Sequence, residues 1–322
     1  MGGIEPAGPA PVAMARTARG HRHRAVAGAG TGVSPGRSGL RCGPGPGRGT
    51  GEAVAGAVRR ERWRPAMTLP PGARLTAAGE TVVVAGSAVD LARRAAAFLD
   101  ARISTAIIRN GQAVLALSGG STPEMTYRCL AGYRPDAASL ALLQVDERLV
   151  SAGDPRSNGA MIRRAWGGRV PLLPMIPAEN PLPAPGRLAA AYAHTLDRVA
   201  PARCLGVPVV DLCILGLGED GHTASLFPGS PALAERSRWV VPVAGPAAPA
   251  GGSPQVPRLT LTLPVLDAAR CLVFLVQGGA KAGVVRQVLQ GKDDLLPAAR
   301  LVRRARRAVW FLDTAAAVGL SL

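Results

Sequence analysis

Short apolar runs alternate with amphipathic stretches from about residue 73 onward, a pattern that predicts an α/β fold. Several of the runs are continuous rather than alternating in polarity, as is typical of parallel strands buried on both faces. The runs predicted as strands read TVVVAG, QAVLALSGG, LALLQVDER, VVDLCILGLG, RWVVPVAG, RLTLTL, CLVFLVQGG and AVWFLD. Between them, the spacing of apolar residues predicts helices over 87–108, 123–132, 157–166, 186–199 and 280–290.

Residues 1–66 lack this pattern and consist mostly of Gly, Pro, Ala and Arg. Such a segment cannot bury enough apolar surface to offset the entropy lost when it becomes ordered. The sequence therefore predicts a disordered extension over 1–66 and a folded domain over 67–322, with Met67 as an alternative start of translation. A transit peptide is a second interpretation of the extension, which is rich in Arg and poor in acidic residues.

Charge, hydropathy and cysteine usage narrow the class of protein. Residues 1–66 hold 11 Arg and 3 Glu, and so carry +8 of the formal net charge of +17. Only Lys281 and Lys292 are lysines, a bias that indicates GC-rich coding rather than a surface that follows phosphates. No basic stripe interleaved with aromatics and no long apolar span is present, so we expect neither a nucleic-acid nor a membrane partner. Five scattered cysteines without a C-x-x-C pair favour a reducing, cytoplasmic location.

Polar motifs follow four of the apolar runs, and they read SGGSTP, DER, GLGEDGH and GGAK. Ligands of open parallel sheets bind beyond the carboxyl ends of the strands. We therefore expect these four motifs to converge on one crevice.

The SGGSTP motif has the features of a phosphate-binding turn. Gly119 and Gly120 permit a tight turn, Ser121 or Thr122 can cap a helix, and Pro123 suits its first position. The free N–H groups of a helix start bind phosphate, although a capped turn that binds nothing is the alternative. The Gly-Lys-Ser/Thr of a nucleotide P-loop is missing, which favours a small phosphorylated ligand over ATP.

Other charged and polar residues are weaker candidates for the predicted ligand-binding crevice. Asp146 and Arg148 of the DER motif lie either at the mouth of a site or at the start of an exposed loop. Ser157 and Asn158 fall at a predicted helix start, where capping explains them equally well. Lys281 is predicted in the first turn of a helix, where the helix dipole disfavours a cation unless an anion such as a bound phosphate offsets it. An exposed lysine that contacts only solvent is the alternative. Arg258 is a second candidate anion ligand.

The GLGEDGH motif matches the G-x-G-x-x-G dinucleotide fingerprint, but its surroundings do not. Pro228 and Gly229 follow closely, so any helix here is short, and no acidic residue ends the next predicted strand. The functional residue of this loop is predicted to be His222, whose imidazole can accept a proton from water at neutral pH, with Asp220 beside it. No further ligands complete a metal site, and no G-x-S-x-G nucleophile elbow is present.

Taken in order, SGGSTP, DER, SN, LGLGEDGHTASLFPG, RLTLTLPVL, the GGAK lysine and WFLD resemble the 6-phosphogluconolactonase family. The resemblance covers nearly all of 73–315. It implies a single Rossmann-like α/β/α domain with a mostly parallel sheet, and a hydrolase of the oxidative pentose phosphate pathway that uses no metal or other cofactor. The implied partner is a small sugar-phosphate lactone, and the implied assembly is a monomer or a homodimer.

The resemblance also assigns roles to the candidate residues. His222 activates water for attack on the lactone carbonyl, with Arg148 on the oxyanion and with Asp146 and Asp220 orienting the imidazole or the sugar. The phosphate and sugar are assigned to a larger set of residues, Gly119, Gly120, Ser121, Thr122, Ser157, Asn158, Arg258 and Lys281. The related glucosamine-6-phosphate deaminases carry a glutamate before the Pro-Gly pair, where this chain has Phe227. A deaminase-like enzyme and a non-catalytic sugar-phosphate-binding protein are the alternatives.

Overall fold

The computed structural model describes residues 70–76, 79–134, 138–179, 181–245, 255–291 and 295–322. The extension predicted over 1–66 lies outside these residues. In chain order the strands are β1 (Ala73–Leu75), β2 (Thr81–Ala85), β3 (Ala113–Leu117), β4 (Leu140–Gln144), β5 (Asp146–Arg148), β6 (Arg203–Cys204), β7 (Val207–Pro208), β8 (Leu212–Leu215), β9 (Val240–Val243), β10 (Arg258–Leu261), β11 (Cys271–Val276) and β12 (Ala308–Asp313).

A seven-stranded sheet with the order β1-β2-β12-β11-β8-β3-β4 forms the centre of the fold. Strand β1 pairs antiparallel with β2, and the other neighbours are parallel. Every residue of β3, β4, β8 and β11 is buried, as the continuous apolar runs predicted. The prediction of a mostly parallel sheet is confirmed.

Helices cover both faces of this sheet. They are α1 (Ala88–Asn110), α2 (Ser121–Tyr133), α3 (Asn158–Ala165), α4 (Pro185–Val199), α5 (Leu263–Ala268), α6 (Ala282–Gln290) and α7 (Pro297–Arg304). Because successive side chains of a strand point to opposite faces, Val273 of β11 packs in the cluster of α1 to α3, whereas Phe274 packs in the cluster of α4 to α7. The α/β/α architecture is therefore confirmed. None of the helices that the structure describes combines the length and apolar character needed to cross a bilayer.

The helix boundaries follow local signals. Helix α1 begins after Ser87, whose hydroxyl accepts the N–H of Asp90 at 3.1 Å, and ends before Gly111, whose φ is 75°. All five predicted helices are present with small shifts at their ends. Helices α5 and α7 are additional, and their few residues give the apolar spacing too little length to be recognised.

RWVVPVAG and RLTLTL form strands, as predicted, but these are β9 and β10 of a second sheet with the antiparallel order β5-β10-β9. Strand β5 is the DER motif, and only Val145 separates it from β4. The interpretation of DER as the start of an exposed loop is therefore wrong, because β10 pairs with it and holds Arg258 opposite Arg148. The small sheet thus continues from the carboxyl end of β4.

Candidate active site

A cavity of about 290 Å³ lies beyond the carboxyl ends of β3, β8 and β11, beside β5 and β10. Residues from all four polar motifs line it, so the predicted convergence is confirmed. The predicted site residues on its wall are Gly119, Gly120, Ser121, Thr122, Asp146, Arg148, Asn158, His222, Arg258 and Lys281. Asp220 and Ser157 do not line it, but Asp220 is hydrogen-bonded to His222 and Ser157 to Glu147.

The turn between β3 and α2 depends on its two glycines. A Cβ on Gly119 would lie 1.7 Å from the Oδ1 atom of Asn158, so only glycine lets the asparagine pack against the turn. Gly120 has a φ of 108°, which favours glycine, and it is the N-cap of α2. The prediction that Ser121 or Thr122 caps the helix is wrong, because both already lie in its first turn. N–H groups of a first turn have no partner within the helix and can bind an anion.

His222 and Asp220 form a close pair in the loop after β8. The Nδ1 atom of His222 lies 2.6 Å from the Oδ1 atom of Asp220, which also accepts the backbone N–H of His222 at 3.1 Å. Partial burial raises the pKa of Asp220, but the hydrogen bond and the charge of His222 outweigh it and leave that pKa below its ordinary value. Because Nδ1 is occupied, Nε2 is the ring nitrogen left to exchange a proton at the cavity.

Gly218 permits this pair to form. Its N–H donates to the carbonyl of His222 at 2.8 Å, and a Cβ at this position would lie 2.0 Å from the Nδ1 atom of His222. After the loop the chain forms only a four-residue 3₁₀ helix, Pro231–Ala234, as the nearby Pro-Gly pair predicted. The second glycine of the apparent fingerprint therefore makes room for the imidazole.

Asp146 is buried and contacts a different set of groups. Its Oδ2 atom accepts the hydroxyl of Ser225 at 2.5 Å, and its Oδ1 atom lies 3.3 Å from the amide nitrogen of Asn158. The guanidinium of Arg258 donates to the same Ser225 hydroxyl at 3.3 Å. Burial lowers the pKa of Arg258, an effect that the charge of Asp146 opposes. The sequence could not distinguish the roles of the two acids, but the structure gives them different partners. Asp220 is hydrogen-bonded to the imidazole of His222, and Asp146 to Ser225 and Asn158.

The ring of Phe227 contacts both the imidazole of His222 and the buried guanidinium of Arg258. Its ring centroid is 4.8 Å from that of His222, and the Cζ atom of Arg258 is 5.2 Å from the same centroid. This is the position that carries a glutamate in the deaminases, and here it presents an apolar surface to the histidine. A phenyl ring cannot relay a proton, so the carboxylate hydrogen-bonded to the imidazole is that of Asp220.

Glu147 supports the site and is missing from the predicted site residues. Its carboxylate is 2% exposed and accepts hydrogen bonds at both oxygens. The donors are the Arg148 N–H at 2.7 Å, the Asn158 N–H at 2.8 Å, the Gly159 N–H at 2.7 Å, the Ser157 hydroxyl at 2.9 Å and the Gln144 amide at 2.8 Å. Because alternate strand residues face opposite ways, the DER spacing could have indicated that Glu147 points away from its two neighbours.

Arg148 and Asn158 are held together at the cavity wall. The guanidinium of Arg148 donates to the Oδ1 atom of Asn158 at 2.8 Å and to the carbonyl of Arg156 at 2.7 Å. Ser157 caps α3 by accepting the N–H of Ala160 at 3.1 Å, so the capping interpretation holds for Ser157. Asn158 does not cap the helix, because it is already the first residue of α3 and its side chain turns to Arg148 and Asp146.

Lys281 lies at the cavity rim, just before α6 rather than in its first turn. It ends a short 3₁₀ helix, Gly279–Lys281, and its Nζ atom is 3.7 Å from the Oε1 atom of Glu219. The sequence predicted that a bound anion offsets the positive charge of Lys281. In the structure the carboxylate of Glu219 offsets part of that charge. At this distance the ammonium keeps donors available for a ligand.

Within the described ranges, no three His, Cys, Asp or Glu side chains are grouped as a metal site would require.

Comparison with known proteins places these features in a family. The family model described as "Glucosamine-6-phosphate isomerases/6-phosphogluconolactonase" matches residues 86–310. A 6-phosphogluconolactonase of Nostoc sp. is 34% identical over 250 residues, which cover 76% of this chain and 99% of the relative. That of Rattus norvegicus is 36% identical over 247 residues, covering 72% of this chain and 87% of the relative.

A solved structure agrees with the sequence relatives. The crystal structure of 6-phosphogluconolactonase from Leishmania guyanensis superimposes with a TM-score of 0.68 at 31% sequence identity. The match covers 76% of this chain and 100% of the other. The residues that line the cavity, from Ser118 to Lys281, all lie within the 86–310 range of the family model.

Proposed function

The chain belongs to the glucosamine-6-phosphate isomerase/6-phosphogluconolactonase family as a lactone hydrolase, and on this premise we propose that His222 is its general base. The reaction is the hydrolysis of 6-phospho-D-glucono-1,5-lactone to 6-phospho-D-gluconate in the oxidative pentose phosphate pathway. The observation that carries the assignment of His222 is its pairing with Asp220 at a cavity that also contains the glycine turn.

The proton transfers follow from this pairing. Nε2 of His222 takes a proton from water as the water oxygen attacks C1 of the lactone. Asp220 holds the remaining ring proton on Nδ1 and stabilises the imidazolium that forms. When the tetrahedral intermediate collapses, the bond between C1 and the ring oxygen breaks and the imidazolium returns its proton to that oxygen. The carboxylic acid then loses its proton to solvent.

Arg148 is the cation assigned to the negative charge that develops on the carbonyl oxygen. Its guanidinium lies on the cavity wall and is fixed by Asn158 and by the carbonyl of Arg156, so no reorganisation is needed when the charge appears. Asp146, which is bonded to Ser225 and Asn158, is assigned to the sugar side of the cavity and not to the imidazole.

The phosphate group is assigned to the part of the same cavity that the glycine turn forms. The first turn of α2 offers N–H groups and the hydroxyls of Ser121 and Thr122, and Lys281 adds positive charge. Arg258 shares the Ser225 hydroxyl with Asp146 and is assigned with it to the sugar. This arrangement holds the anionic end of the substrate while the lactone carbonyl reaches His222.

We further propose a cytoplasmic enzyme that is a monomer or a homodimer, with residues 1–66 as a disordered extension. The composition of the extension supports its disorder, the scattered cysteines support the cytoplasmic location, and the family resemblance supports the assembly. Limited proteolysis tests the disorder, and light scattering tests the assembly. A protease-resistant extension or a larger assembly would contradict it.

Lactone hydrolysis is the direct test of the proposed reaction. The full chain is expected to accelerate opening of 6-phosphogluconolactone above the spontaneous rate, in proportion to enzyme concentration. Glucosamine 6-phosphate, assayed in parallel, is expected to release no ammonia, because Phe227 replaces the acidic residue of the deaminases. Release of ammonia would favour a deaminase, and binding of the lactone without turnover would favour a sugar-phosphate-binding protein.

Lys281→Ala is expected to raise KM about 10- to 100-fold with little change in kcat. A hydrogen bond to a charged group contributes about 1.5–3 kcal/mol, and the lysine is assigned to phosphate rather than to the reacting carbonyl. Steady-state kinetics measure the effect, and Lys281→Arg, which keeps the charge, is the matched control. An unchanged KM in the alanine variant would remove Lys281 from the phosphate site.

A further inference from the structure

Arginine side chains gather at the amino-terminal edge of the central sheet, opposite the catalytic cavity. Asp211 directly precedes β8, Arg270 precedes β11 and Arg307 precedes β12. Backbone hydrogen bonds hold this edge in register, from Arg270 N–H to the carbonyl of Val210 at 3.0 Å and from Leu272 N–H to the carbonyl of Arg307 at 2.9 Å. The set Arg102, Arg109, Arg270, Arg306 and Arg307 is called the arginine cluster below.

The carboxylate of Asp211 forms ion pairs with two members of the cluster. The Oδ1 atom of Asp211 lies 2.9 Å from the guanidinium of Arg109 and 3.2 Å from that of Arg270. Its Oδ2 atom accepts the backbone N–H of Val114 at 3.0 Å. Arg102 is two turns before Arg109 on α1, on the same side of the helix. Asp211 is therefore fully engaged, and it cannot neutralise the rest of the cluster.

Two partly buried members have no counter-charge. Among the residues that the structure describes, neither Arg102 nor Arg307 has an ion-pair or hydrogen-bond partner, and Arg306 contacts only the neutral Sγ atom of Cys204, at 2.8 Å. Burial lowers the pKa of Arg102, and the positive charges of Arg307 and Arg109 lower it further. Five guanidinium groups against one carboxylate leave a net charge of +4 at this edge.

Acidic residues on neighbouring elements do not relieve this charge. Asp197 pairs with Arg203 at 2.5 Å, and Asp267 pairs with Arg304 at 2.6 Å. A general bias toward arginine would scatter single charges over the surface, where solvent screens them. Here the like charges converge and two of them are partly withdrawn from water, which costs free energy unless an anion is present.

We propose that the arginine cluster binds an oligophosphate, an anion with two or more linked phosphate groups. Guanidinium groups match phosphate oxygens in bidentate geometry, and a net charge of +4 calls for more negative charge than a single phosphate carries, about −1.5 to −2. Strands β8, β11 and β12 are neighbours and span about 10 Å, which suits a short phosphate chain. A nucleic-acid strand would need a longer basic groove with stacking aromatic residues, and the cluster contains none.

The proposed ligand does not overlap with the lactone. Arg270 directly precedes β11 and Gln277 directly follows it, so the two are about 23 Å apart along the strand. Arg270 therefore lies at the cluster and Gln277 at the catalytic cavity. The inference goes beyond the proposed function and does not depend on it.

Calorimetric titration of the full chain with inorganic tripolyphosphate tests the proposal. Arg102→Gln/Arg307→Gln is expected to weaken binding at least tenfold, and neither substitution removes an ion pair. Arg94→Gln/Arg128→Gln is the matched control, because it removes the same charge from exposed positions on α1 and α2. The control is expected to bind as the unchanged chain does, and both variants are expected to keep the lactone-hydrolysis rate.

Titrations with other anions show which part of the ligand the cluster recognises. ADP and ATP bound with the affinities of pyrophosphate and tripolyphosphate would show that the phosphate chain is recognised, and orthophosphate should bind more weakly than either. Equal tripolyphosphate affinity in the cluster variant and the control would overturn the proposal, because the anion would then be bound elsewhere on the chain. Tighter binding of a single-stranded oligonucleotide, lost in the cluster variant, would overturn it in favour of a nucleic-acid surface. Thermal unfolding checks that the cluster variant remains folded.

Discussion

His222→Ala is expected to lower kcat for lactone hydrolysis by about 10²- to 10⁴-fold, with little change in KM. A general base contributes a factor of this size to the rate, which corresponds to about 3–5 kcal/mol of transition-state stabilisation. The imidazole acts on the attacking water and not on the bound sugar, so ground-state binding is retained. Initial rates, corrected for spontaneous opening of the lactone, measure the effect.

His194 provides the matched control for this experiment. It is the other histidine of the described residues, it lies exposed on α4, and it does not line the cavity. His194→Ala should therefore retain the full rate. Turnover that survives in His222→Ala would remove the imidazole from the mechanism, and a raised KM at constant kcat would reassign it to substrate binding.

Glu147→Ala is expected to lower the free energy of unfolding by about 3–5 kcal/mol, a large effect for one side chain. The substitution removes the acceptor of five hydrogen bonds and leaves the buried N–H groups of Asn158 and Gly159, and the partly buried N–H of Arg148, without it. Each buried donor left unsatisfied costs about 1–3 kcal/mol, and local shifts recover part of the sum. Urea unfolding monitored by circular dichroism measures the change.

Glu124→Ala is the control for stability, since Glu124 makes only an i,i+4 pair with Arg128 on the surface of α2. Such a pair contributes a few tenths of a kcal/mol. The fraction of Glu147→Ala that remains folded at low temperature should also show a reduced kcat, because Glu147 fixes the backbone beneath Arg148 and Asn158. Unfolding of both variants at the same urea concentration would refute the role of Glu147.

The central sheet could be predicted because buried parallel strands leave a continuous apolar signal. The second sheet could not, because RLTLTL reads the same whether its partners are parallel or antiparallel. Its pairing is set by β5, a three-residue strand whose charged side chains resemble a loop. Short helices such as α5 could not be predicted either, because six residues form less than two helical turns and show no clear apolar periodicity.

The site could be located from sequence because its motifs follow strands that end at one edge of the sheet. Separate roles for Asp146 and Asp220 could not be assigned, because Ser225, the main partner of Asp146, is far away along the chain. Glu219, which faces Lys281, and Gln277, which lines the cavity, were also beyond prediction. Their contacts depend on how two loops meet in space.

Strand β12 lies between β2 and β11, so the last strand of the chain completes the interior of the sheet. While the ribosome synthesises the chain from Ala85 to Ala308, about 10–45 s at 5–20 residues per second, β2 has no parallel neighbour. The nascent protein therefore exposes two apolar strand edges until late in translation, and such edges invite pairing with other chains. The yield of folded protein should depend on how well chaperones shield the nascent chain during that interval.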